Sequence, residues 1–415
     1  MKKSLLAVAA IGAFASAAQA QSSVTVYGIL DVGFQGATQH TGTGAAQNGA
    51  QFGESAEQTS RLGFKGTEDL GGGRQALFTA EFTLFPTDPV LSGNTQGGLQ
   101  NRQTFVGLHQ NGVGAATIGT QYTGIFNEAA VTDPGQLNNV AGGLIYAVGG
   151  VAGGVGAQNI TGVDGSAGGN VGFTTRTSNT LNIQTDSFAG FRANAAYVLN
   201  DQNSNQTTSS SAGTTGGIWN TNGWGLGVDY TLNKFYATAQ YQAFKQQTVA
   251  TNGVNGGIGF VNGGTEITKI ATNTLNVASV TGNANTPLNV QDNQAYVAAT
   301  YDFGILKAYA QYVNRKVSDS FDSTYYYKRQ AEQIGVRSYI TPTVEAWGSA
   351  GLGRVTAYGQ GQPTANFNGW QLGSNYWLSK RTNLYAIYGN VNQTTAVGNT
   401  SQNAQQYAVG VRHTF

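Results

Sequence analysis

The sequence predicts an all-β fold, a 16-stranded antiparallel transmembrane β-barrel with short periplasmic turns and long extracellular loops. Three observations predict it. Apolar residues recur at every second position, short and long connections alternate along the chain, and few charges are combined with many glycines and aromatic residues. A sheet with one apolar and one polar face satisfies all three when it closes on itself within a membrane.

The first twenty residues have the three zones of a secretory signal peptide. Lys2 and Lys3 precede an apolar run from Leu5 to Ala15, and Ala18-Gln19-Ala20 supplies the small residues of a cleavage site. Such a segment is removed on export, so we expect residues 21–415 to form a single barrel domain. A retained anchor is the alternative, but an apolar zone of about eleven residues is too short for a spanning helix.

The composition separates the membrane barrel from other classes. Charged residues are 10% of the chain, glycine supplies 60 of 415 residues and proline 6, which is typical neither of a globular domain nor of a proline-rich disordered chain. Twenty tyrosines indicate surface that faces more than water, while a mean hydropathy of −0.23 excludes a bundle of apolar helices. A net charge of +1 argues against nucleic acid as a partner, and the absence of cysteine excludes disulfides.

The period of two is clearest at the start of the mature chain. One face carries Val24, Val26, Leu30, Val32 and Phe34, and the other carries Thr25, Tyr27, Asp31 and Gln35. The pattern recurs in 78–84, 224–230 and 235–242. Each of these segments is therefore predicted to be a strand with lipid on one side and water on the other.

The connections alternate strictly in length. Seven short turns are predicted at 68–72, 111–114, 186–190, 232–234, 302–304, 341–342 and 379–383. Eight long polar segments lie between them, at 36–58, 86–100, 123–170, 200–222, 246–292, 317–328, 359–366 and 392–403. A soluble β-sandwich or a secreted β-solenoid is the alternative, but neither has a reason to place every long loop at one end.

Two further features are an uncharged, glycine-rich tract and a set of aromatic residues near strand ends. Residues 140–157 carry no charge, but seven of these eighteen are glycine, so a loop is predicted rather than a spanning helix. The aromatic residues expected at the membrane interfaces lie near predicted strand ends and are Trp370, Tyr376, Trp377, Tyr385 and Tyr388.

The last strand reads YAVGVRHTF and ends on an aromatic residue. Its outward face is predicted to carry Tyr407, Val409, Val411, His413 and Phe415. Because an open sheet edge in lipid leaves backbone groups without partners, the first and last strands are expected to pair and close the barrel.

Five segments carry a family resemblance. They are, in chain order, SSVTVYGILDVGF, SRLGFKGTEDLGGGRQALFTAEF, NRQTFVGL, RTSNTL and YAVGVRHTF. Together they resemble the general porins of the Gram-negative β-proteobacterial type over the whole mature chain. The resemblance implies a barrel in the bacterial outer membrane that forms a water-filled channel for passive diffusion of small hydrophilic solutes and ions.

The same resemblance implies partners and a loop arrangement. Members of the family are homotrimers whose third outer loop folds into the lumen. No cofactor is expected for this chain. Outer-membrane lipid and lipopolysaccharide are the expected surroundings. The barrel assembly machinery is expected to engage the C-terminal strand, through Tyr407, Val409, Val411 and Phe415.

Family members carry a row of wall arginines opposite acidic groups, and this row maps onto Arg61 in SRLGF, Arg102 in NRQTF and Arg176 in RTSN. An arginine facing lipid at mid-depth costs about 2–4 kcal/mol, which favours the lumen; exposure at the barrel rim is the alternative. Periodicity agrees for Arg61, which shares a face with Gly63 and Lys65. Lys65 is therefore a further candidate for the pore constriction.

Periodicity also agrees for Arg176, which shares a face with Ser178 and Thr180. It is ambiguous for Arg102, because Val106 lies on the same predicted face. Glu81, on the polar face of its strand, is an acidic candidate for the constriction.

The third loop, at 123–170, is glycine-rich and departs from the acidic pattern of the family. Glu128 and Asp133 are its candidates for the charged side of the constriction, with a solvated position as the alternative for each. Because the loop carries little charge, the wall arginines are expected to dominate the potential and to give a weak preference for anions. A channel selective for one sugar or carboxylate is the alternative function.

An enzymatic barrel is the competing class. It needs a base beside a nucleophile or an activated water, yet the three histidines, His40, His109 and His413, are predicted on different parts of the barrel. No cluster of His, Asp and Glu has the spacing of a metal site. The sequence therefore predicts a channel without enzymatic activity.

Overall fold

The computed structural model describes residues 23–40, 46–91, 98–146, 172–202, 219–248, 288–319, 326–358, 364–394 and 401–415. The predicted signal peptide lies outside these residues, as does 147–157 of the glycine-rich tract.

Within the described residues the chain forms one antiparallel sheet and one helix, α1, at Gly124–Thr132. The strands are β1 Ser23–His40, β2 Ala46–Glu54, β3 Arg61–Gly71, β4 Arg74–Thr83, β5 Gln100–Gln110, β6 Gly114–Tyr122, β7 Arg176–Thr185, β8 Phe191–Gln202, β9 Trp219–Leu232, β10 Phe235–Thr248, β11 Leu288–Asp302, β12 Lys307–Asp319, β13 Tyr326–Tyr339, β14 Val344–Tyr358, β15 Thr364–Trp377, β16 Thr382–Thr394 and β17 Ser401–Thr414. No helix in the described ranges is both long enough and apolar enough to cross a membrane.

These seventeen strands occupy sixteen positions around the barrel. The lower half of β1 pairs with β3, and its upper half pairs with β2, so β2 and β3 are two pieces of one wall strand. The break at 55–60 folds inward, and Ser55 takes the left-handed conformation at φ 61°. The predicted sixteen-stranded barrel is confirmed, but the first predicted loop is wrong, because 36–40 and 46–54 continue the sheet above the break.

All seven predicted short turns connect the strands as expected. Two of them share the sequence Asp-x-Gly, in which the Asp side chain accepts a bond from the glycine N–H. The distances are 2.9 Å from Gly71 N to Asp69 Oδ1 and 2.7 Å from Gly304 N to Asp302 Oδ1. Both glycines have positive φ, which explains why glycine is favoured there.

The barrel closes between its first and last strands, as predicted. β1 pairs with β17 from Ile29↔Thr414 to His40↔Asn403, and Gly28 and Phe415 exchange two backbone bonds of 3.1 Å. A Cβ at Gly28 would lie 2.3 Å from Cζ of Phe415, so the lack of a side chain at Gly28 leaves room for the terminal ring. The outward face of β17 is the predicted one, with Tyr407, Val409 and Phe415 exposed and Val411 partly exposed.

The two faces of the wall have the predicted polarity. On β1, Val24 and Val26 are 66% and 53% exposed on the outside, whereas Asp31 and Gln35 are buried inside. Of the predicted interface aromatics, three are exposed on the outside, namely Trp370, Tyr376 and Tyr388. The prediction is wrong for Tyr385 and Trp377: Tyr385 Oη donates to Asp31 Oδ1 at 2.7 Å inside, and Trp377 lies beside the inward Arg412.

The interior is buried because the third loop folds into it. Helix α1, capped by Thr123, contacts β8 to β12. Beyond α1, Gln371 Nε2 donates to Val140 O at 2.5 Å, and Leu144 N donates to Gln333 Oε1 at 2.8 Å. The described part of the loop, 123–146, is thus hydrogen-bonded to wall strands across the lumen, and this part follows the predicted inward course.

Candidate functional site

Five adjacent wall strands bring the three predicted arginines together. Arg61 begins β3, Arg102 lies in β5 and Arg176 begins β7, while Glu81 and Tyr122 come from β4 and β6 between them. We call these five residues the arginine cluster. The antiparallel register holds them at one level, because Arg61 lies opposite Thr83, next to Glu81, and Arg176 lies opposite Tyr122.

Glu81 is the centre of the cluster. Arg102 Nε donates to its Oε1 at 2.8 Å, and Arg61 Nη1 lies 3.8 Å from the same oxygen. Tyr122 Oη donates to Oε1 at 3.2 Å, and Tyr27 Oη donates to Oε2 at 3.1 Å. Tyr27 fits there because Gly63 faces it, where a Cβ would lie 2.2 Å from the ring.

Tyr122 joins the cluster to the third loop. Its Oη accepts a bond from Arg102 Nη2 at 2.6 Å, and the guanidinium carbons of Arg102 and Arg176 lie 6.0 Å and 5.9 Å from its ring centroid. The ring stacks on Phe126 of α1 with centroids 4.1 Å apart. Sequence reasoning assigned neither Tyr122 nor Tyr27 to the constriction, although it placed Tyr27 on the water-facing side of its strand.

Irregular pairing turns two of the arginines inward. In β5, Gln103 pairs with Glu81 and Asn101 with Phe82, so Arg102 between them is the extra residue of a bulge. In β7 the register shifts at Asn179, which has φ 51°. The side chain of Arg176 therefore points inward because of this register shift, and not because of the regular alternation from which its face was predicted.

Lys65 lies on the same inner face of β3 as Arg61, as predicted. It is exposed, and its Nζ lies 5.4 Å from the centroid of the Tyr27 ring. Arg61 retains 21% of its side-chain exposure, so positive charge from this part of the wall reaches solvent.

Four other wall arginines each have a carboxylate within 4 Å. Sequence reasoning did not identify these pairs, which are Arg192 with Asp229 at 3.1 Å, Arg315 with Asp292 at 2.8 Å, Arg337 with Glu345 at 2.5 Å and Arg412 with Glu57 at 3.5 Å. In the arginine cluster Arg61 and Arg102 both lie within 4 Å of Glu81, and no salt bridge among the described residues includes Arg176. The cluster is therefore more positive than the paired positions.

The two predicted loop carboxylates contact the wall away from the arginine cluster. Glu128 accepts a bond from Tyr236 Oη and lies 3.6 Å from Arg192 Nη2. Asp133 accepts bonds from Gln333 Nε2 at 2.7 Å and from Leu137 N at 2.9 Å. Neither carboxylate forms an ion pair with Arg61, Arg102 or Arg176, which corrects that expectation; Glu128 faces the wall arginine Arg192 instead, and both carboxylates hold the loop against strands β8 to β13.

Burial changes the acidity of both loop carboxyls. It raises the pKa of Glu128 above its usual value, and it raises the pKa of Asp133 to about 6 despite the bonds that favour the charged form. Over the described ranges, no three His, Asp or Glu side chains come close enough together to hold a metal ion.

Comparison with known proteins agrees with this architecture. The model of the Gram-negative porin family matches residues 7–396. An outer membrane porin protein of Bordetella pertussis is 29% identical over the full length of both chains. Outer membrane porin protein 32 of Delftia acidovorans is 31% identical over 49% of this chain and 51% of its own length.

Solved structures show the same fold. An anion-selective porin from Comamonas acidovorans superposes with a TM-score of 0.63 at 22% identity, covering 95% of this chain and all of the other. OmpT of Vibrio cholerae, in its trimer form, superposes with a TM-score of 0.59 at 14% identity over 95% of this chain and 99% of its own. Since the family match spans most of the sequence, this chain belongs to the Gram-negative porin family and forms an outer-membrane channel through which small solutes diffuse.

Proposed function

We propose that this porin passes small hydrophilic solutes and ions with a weak preference for anions, set at the arginine cluster. The observation that carries the proposal is that the cluster holds three arginines and one carboxylate. Arg61 and Arg102 lie within 4 Å of that carboxylate, Glu81, whereas Arg192, Arg315 and Arg337 each face a carboxylate of their own.

A porin catalyses no reaction, and we propose no enzymatic role for this chain. It supplies a water-filled path through the apolar layer of the membrane. Its selectivity follows from the pore radius and the electrostatic field at the narrowest ring. The stacking of Phe126 on Tyr122 supports a constriction at this level, because it places the third loop against the cluster. The field of a charged ring is strongest where low-dielectric walls confine the water. The unmatched charge therefore acts where passing ions come closest to it.

The test is the reversal potential in planar bilayers across a tenfold salt gradient. We expect the unmodified porin to give a potential of the sign for anion preference. The triple variant R61S/R102S/R176S is expected to move it toward cation preference, because Glu81 then remains without its guanidinium partners. The matched control is R354S, which removes an arginine from the outer face and is expected to leave the potential unchanged. Cation preference in the unmodified porin would refute the proposal.

We further propose how the chain is processed, how it assembles and what it contacts in the outer membrane. Residues 1–20 act as a cleaved signal peptide and 21–415 form one barrel domain. The porin assembles as a homotrimer, supported by the outward aromatic group of Phe34, Phe52 and Tyr407, in which Phe52 is 80% exposed. The C-terminal strand is recognised by the barrel assembly machinery, and the outer surface contacts lipopolysaccharide.

A further inference from the structure

A group of cations lies on the outside of the barrel, far from the arginine cluster. They alternate with inward residues on β10, β12, β13 and β14, and we call them the basic patch: Lys245, Lys316, Lys328 and Arg354. Lys316 and Lys328 are direct cross-strand partners. Like charges in such a pair repel each other, so an anion between them would relieve a cost.

The height of the basic patch can be derived from the strands. Lys316 lies nine residues beyond Lys307, where β12 begins. At about 3.3 Å per residue and a tilt of about 40°, its Cα stands about 23 Å above the periplasmic turns. Arg354 lies ten residues beyond Val344, which gives about 25 Å. The apolar band of such barrels is about 25 Å tall, so the patch lies at the outer headgroup level.

Within the described residues, the contacts of the patch include no carboxylate. Lys316 Nζ lies 4.4 Å from the Tyr326 ring centroid, and Arg354 Nε donates to Asn366 Oδ1 at 3.3 Å. No salt bridge among the described residues includes any member of the patch.

An apolar groove of about 920 Å³ runs along the outer wall below the patch, on β8 to β14. The recess forms because the outward residues of its floor are small, namely Ala237, Ala239, Ala299, Ala310 and Ala350. Larger residues border it, among them Phe191, Tyr312, Ile334 and Leu352.

Glu332 marks the upper end of this groove. It is exposed on the outer face and lies opposite Tyr312 on one side and Leu352 on the other. Gln330, the next outward residue of β13, donates to Tyr312 Oη at 2.8 Å. The polar side chains thus begin where the groove ends, in the direction of the basic patch.

We propose that this outer face binds a lipopolysaccharide of the outer leaflet, with its phosphates on the basic patch and an acyl chain in the groove. Charge complementarity at headgroup height and the continuity of patch and groove favour this occupant over a second copy of the chain. The proposal rests on the outer-membrane location and is independent of the proposed anion preference.

The experiment is native mass spectrometry of the purified full-length porin in detergent, titrated with lipid A. We expect lipid A to bind, and K316Q/K328Q to bind it about thirtyfold more weakly, as expected for removing two charges near an anionic surface. The control K380Q alters a lysine in a periplasmic turn and is expected to bind like the unmodified protein. K316Q/K328Q should also keep the unmodified reversal potential, which separates this test from that of the arginine cluster.

Further arms identify the source of the recognised groups. Lipid A without its phosphates is expected to bind as weakly as K316Q/K328Q does, and A310W, which fills the groove, is expected to weaken binding of intact lipid A. Equal binding of the dephosphorylated lipid, or full displacement by an equal concentration of inorganic phosphate, would overturn the proposal. It would also be overturned if A310W dissociated the oligomer while leaving lipid binding intact, because the groove would then be a subunit contact.

Discussion

Glu81 is the residue on which the charge of the proposed constriction depends. Its two oxygens accept from Arg102, Tyr122 and Tyr27, and Arg61 lies within 4 Å. The two hydroxyls and the guanidinium groups thus surround a single negative charge. Removing that charge is the converse of removing the arginines.

We predict that Glu81→Gln strengthens the preference for anions. The amide keeps the size of the carboxylate and one acceptor oxygen, but the positive charge of the cluster rises by one. The measurement is the reversal potential under the salt gradient used for the arginine variants, with a shift of opposite sign. Glu332→Gln, on the outer face, is the matched control and should cause no shift. A shift of Glu81→Gln toward cations would contradict the assignment.

Single residues also show which inward-facing side chains can be predicted from sequence patterns and which cannot. The inward placement of Arg61 could be predicted, because β3 alternates regularly beside Gly63 and Lys65. That of Arg102 could not, because the bulge depends on how β5 pairs with β4 and leaves no period of its own. The family resemblance identified Arg102 where periodicity was ambiguous.

At the scale of the element, the third loop is held by buried polar contacts. Glu128 joins α1 to the wall at Tyr236, and Asp133 ends the helix with bonds from Gln333 and Leu137. Burial raises the pKa of Asp133 from 3.8 to about 6. Because the docked state holds the proton more tightly than the free loop, its added stability is present below pH 4 and is lost as the pH rises through 6.

We therefore predict that α1 is held more tightly at pH 5 than at pH 7.5. Hydrogen–deuterium exchange of the amides in 124–133, corrected for the intrinsic rate, should show greater protection at the lower pH. Asp133→Asn should reduce this difference to the part that Glu128 contributes, since the asparagine side chain does not titrate. Asp186→Asn, in an exposed periplasmic turn, should retain it. Equal protection at both pH values in the unmodified protein would contradict the prediction.

The loop shows what resemblance supplied and what local sequence did not. Its inward course followed from the family and not from periodicity. Helix α1 was not predicted, because it is nine residues long and includes no regular apolar stripe. One local signal was present: Thr123 accepts a bond from Phe126 N at 3.3 Å as an N-cap, and such residues favour helix starts.

At the scale of the whole molecule, stability depends on closure of the ring. Gly28 and Phe415 exchange backbone bonds at the lower end of the seam between β1 and β17. In a membrane, unpaired backbone groups at this edge would have no water to replace the lost partner. The backbone pair of Gly28 and Phe415 therefore contributes to closure, together with the twelve residue pairs above it.

We predict that deleting Phe415 lowers the temperature at which the barrel unfolds more than Phe415→Ala does. The deletion removes both backbone bonds, whereas alanine keeps them and loses the ring. The measurement is the temperature at which the folded, fast-migrating band disappears on SDS gels. Phe415→Tyr, which retains ring and backbone, is the control. Equal effects of deletion and alanine would show that the ring, rather than the backbone pair, closes the seam.

The number of strands could be predicted from the alternation of short turns and long loops. The interruption of one wall strand could not be predicted from the sequence. The break at 55–60 is held by Asp31, whose carboxylate accepts from Glu57 N at 2.8 Å and Gln58 N at 2.7 Å. Tyr385 Oη binds the other oxygen of the same carboxylate. These partners are distant in sequence, so no local pattern could indicate that the strand folds inward.

The excess of arginines over carboxylates in the arginine cluster has a consequence for the surroundings in which the pore works. Fixed charge in water is felt over about 30 Å in 0.01 M electrolyte but over about 3 Å at 1 M. In a dilute habitat such as fresh water, the unmatched charge would attract small anions from well beyond the mouth of the pore. In brine the same wall would scarcely discriminate between anions and cations. The ion selectivity of the pore therefore depends on the salt concentration of the medium as much as on the protein.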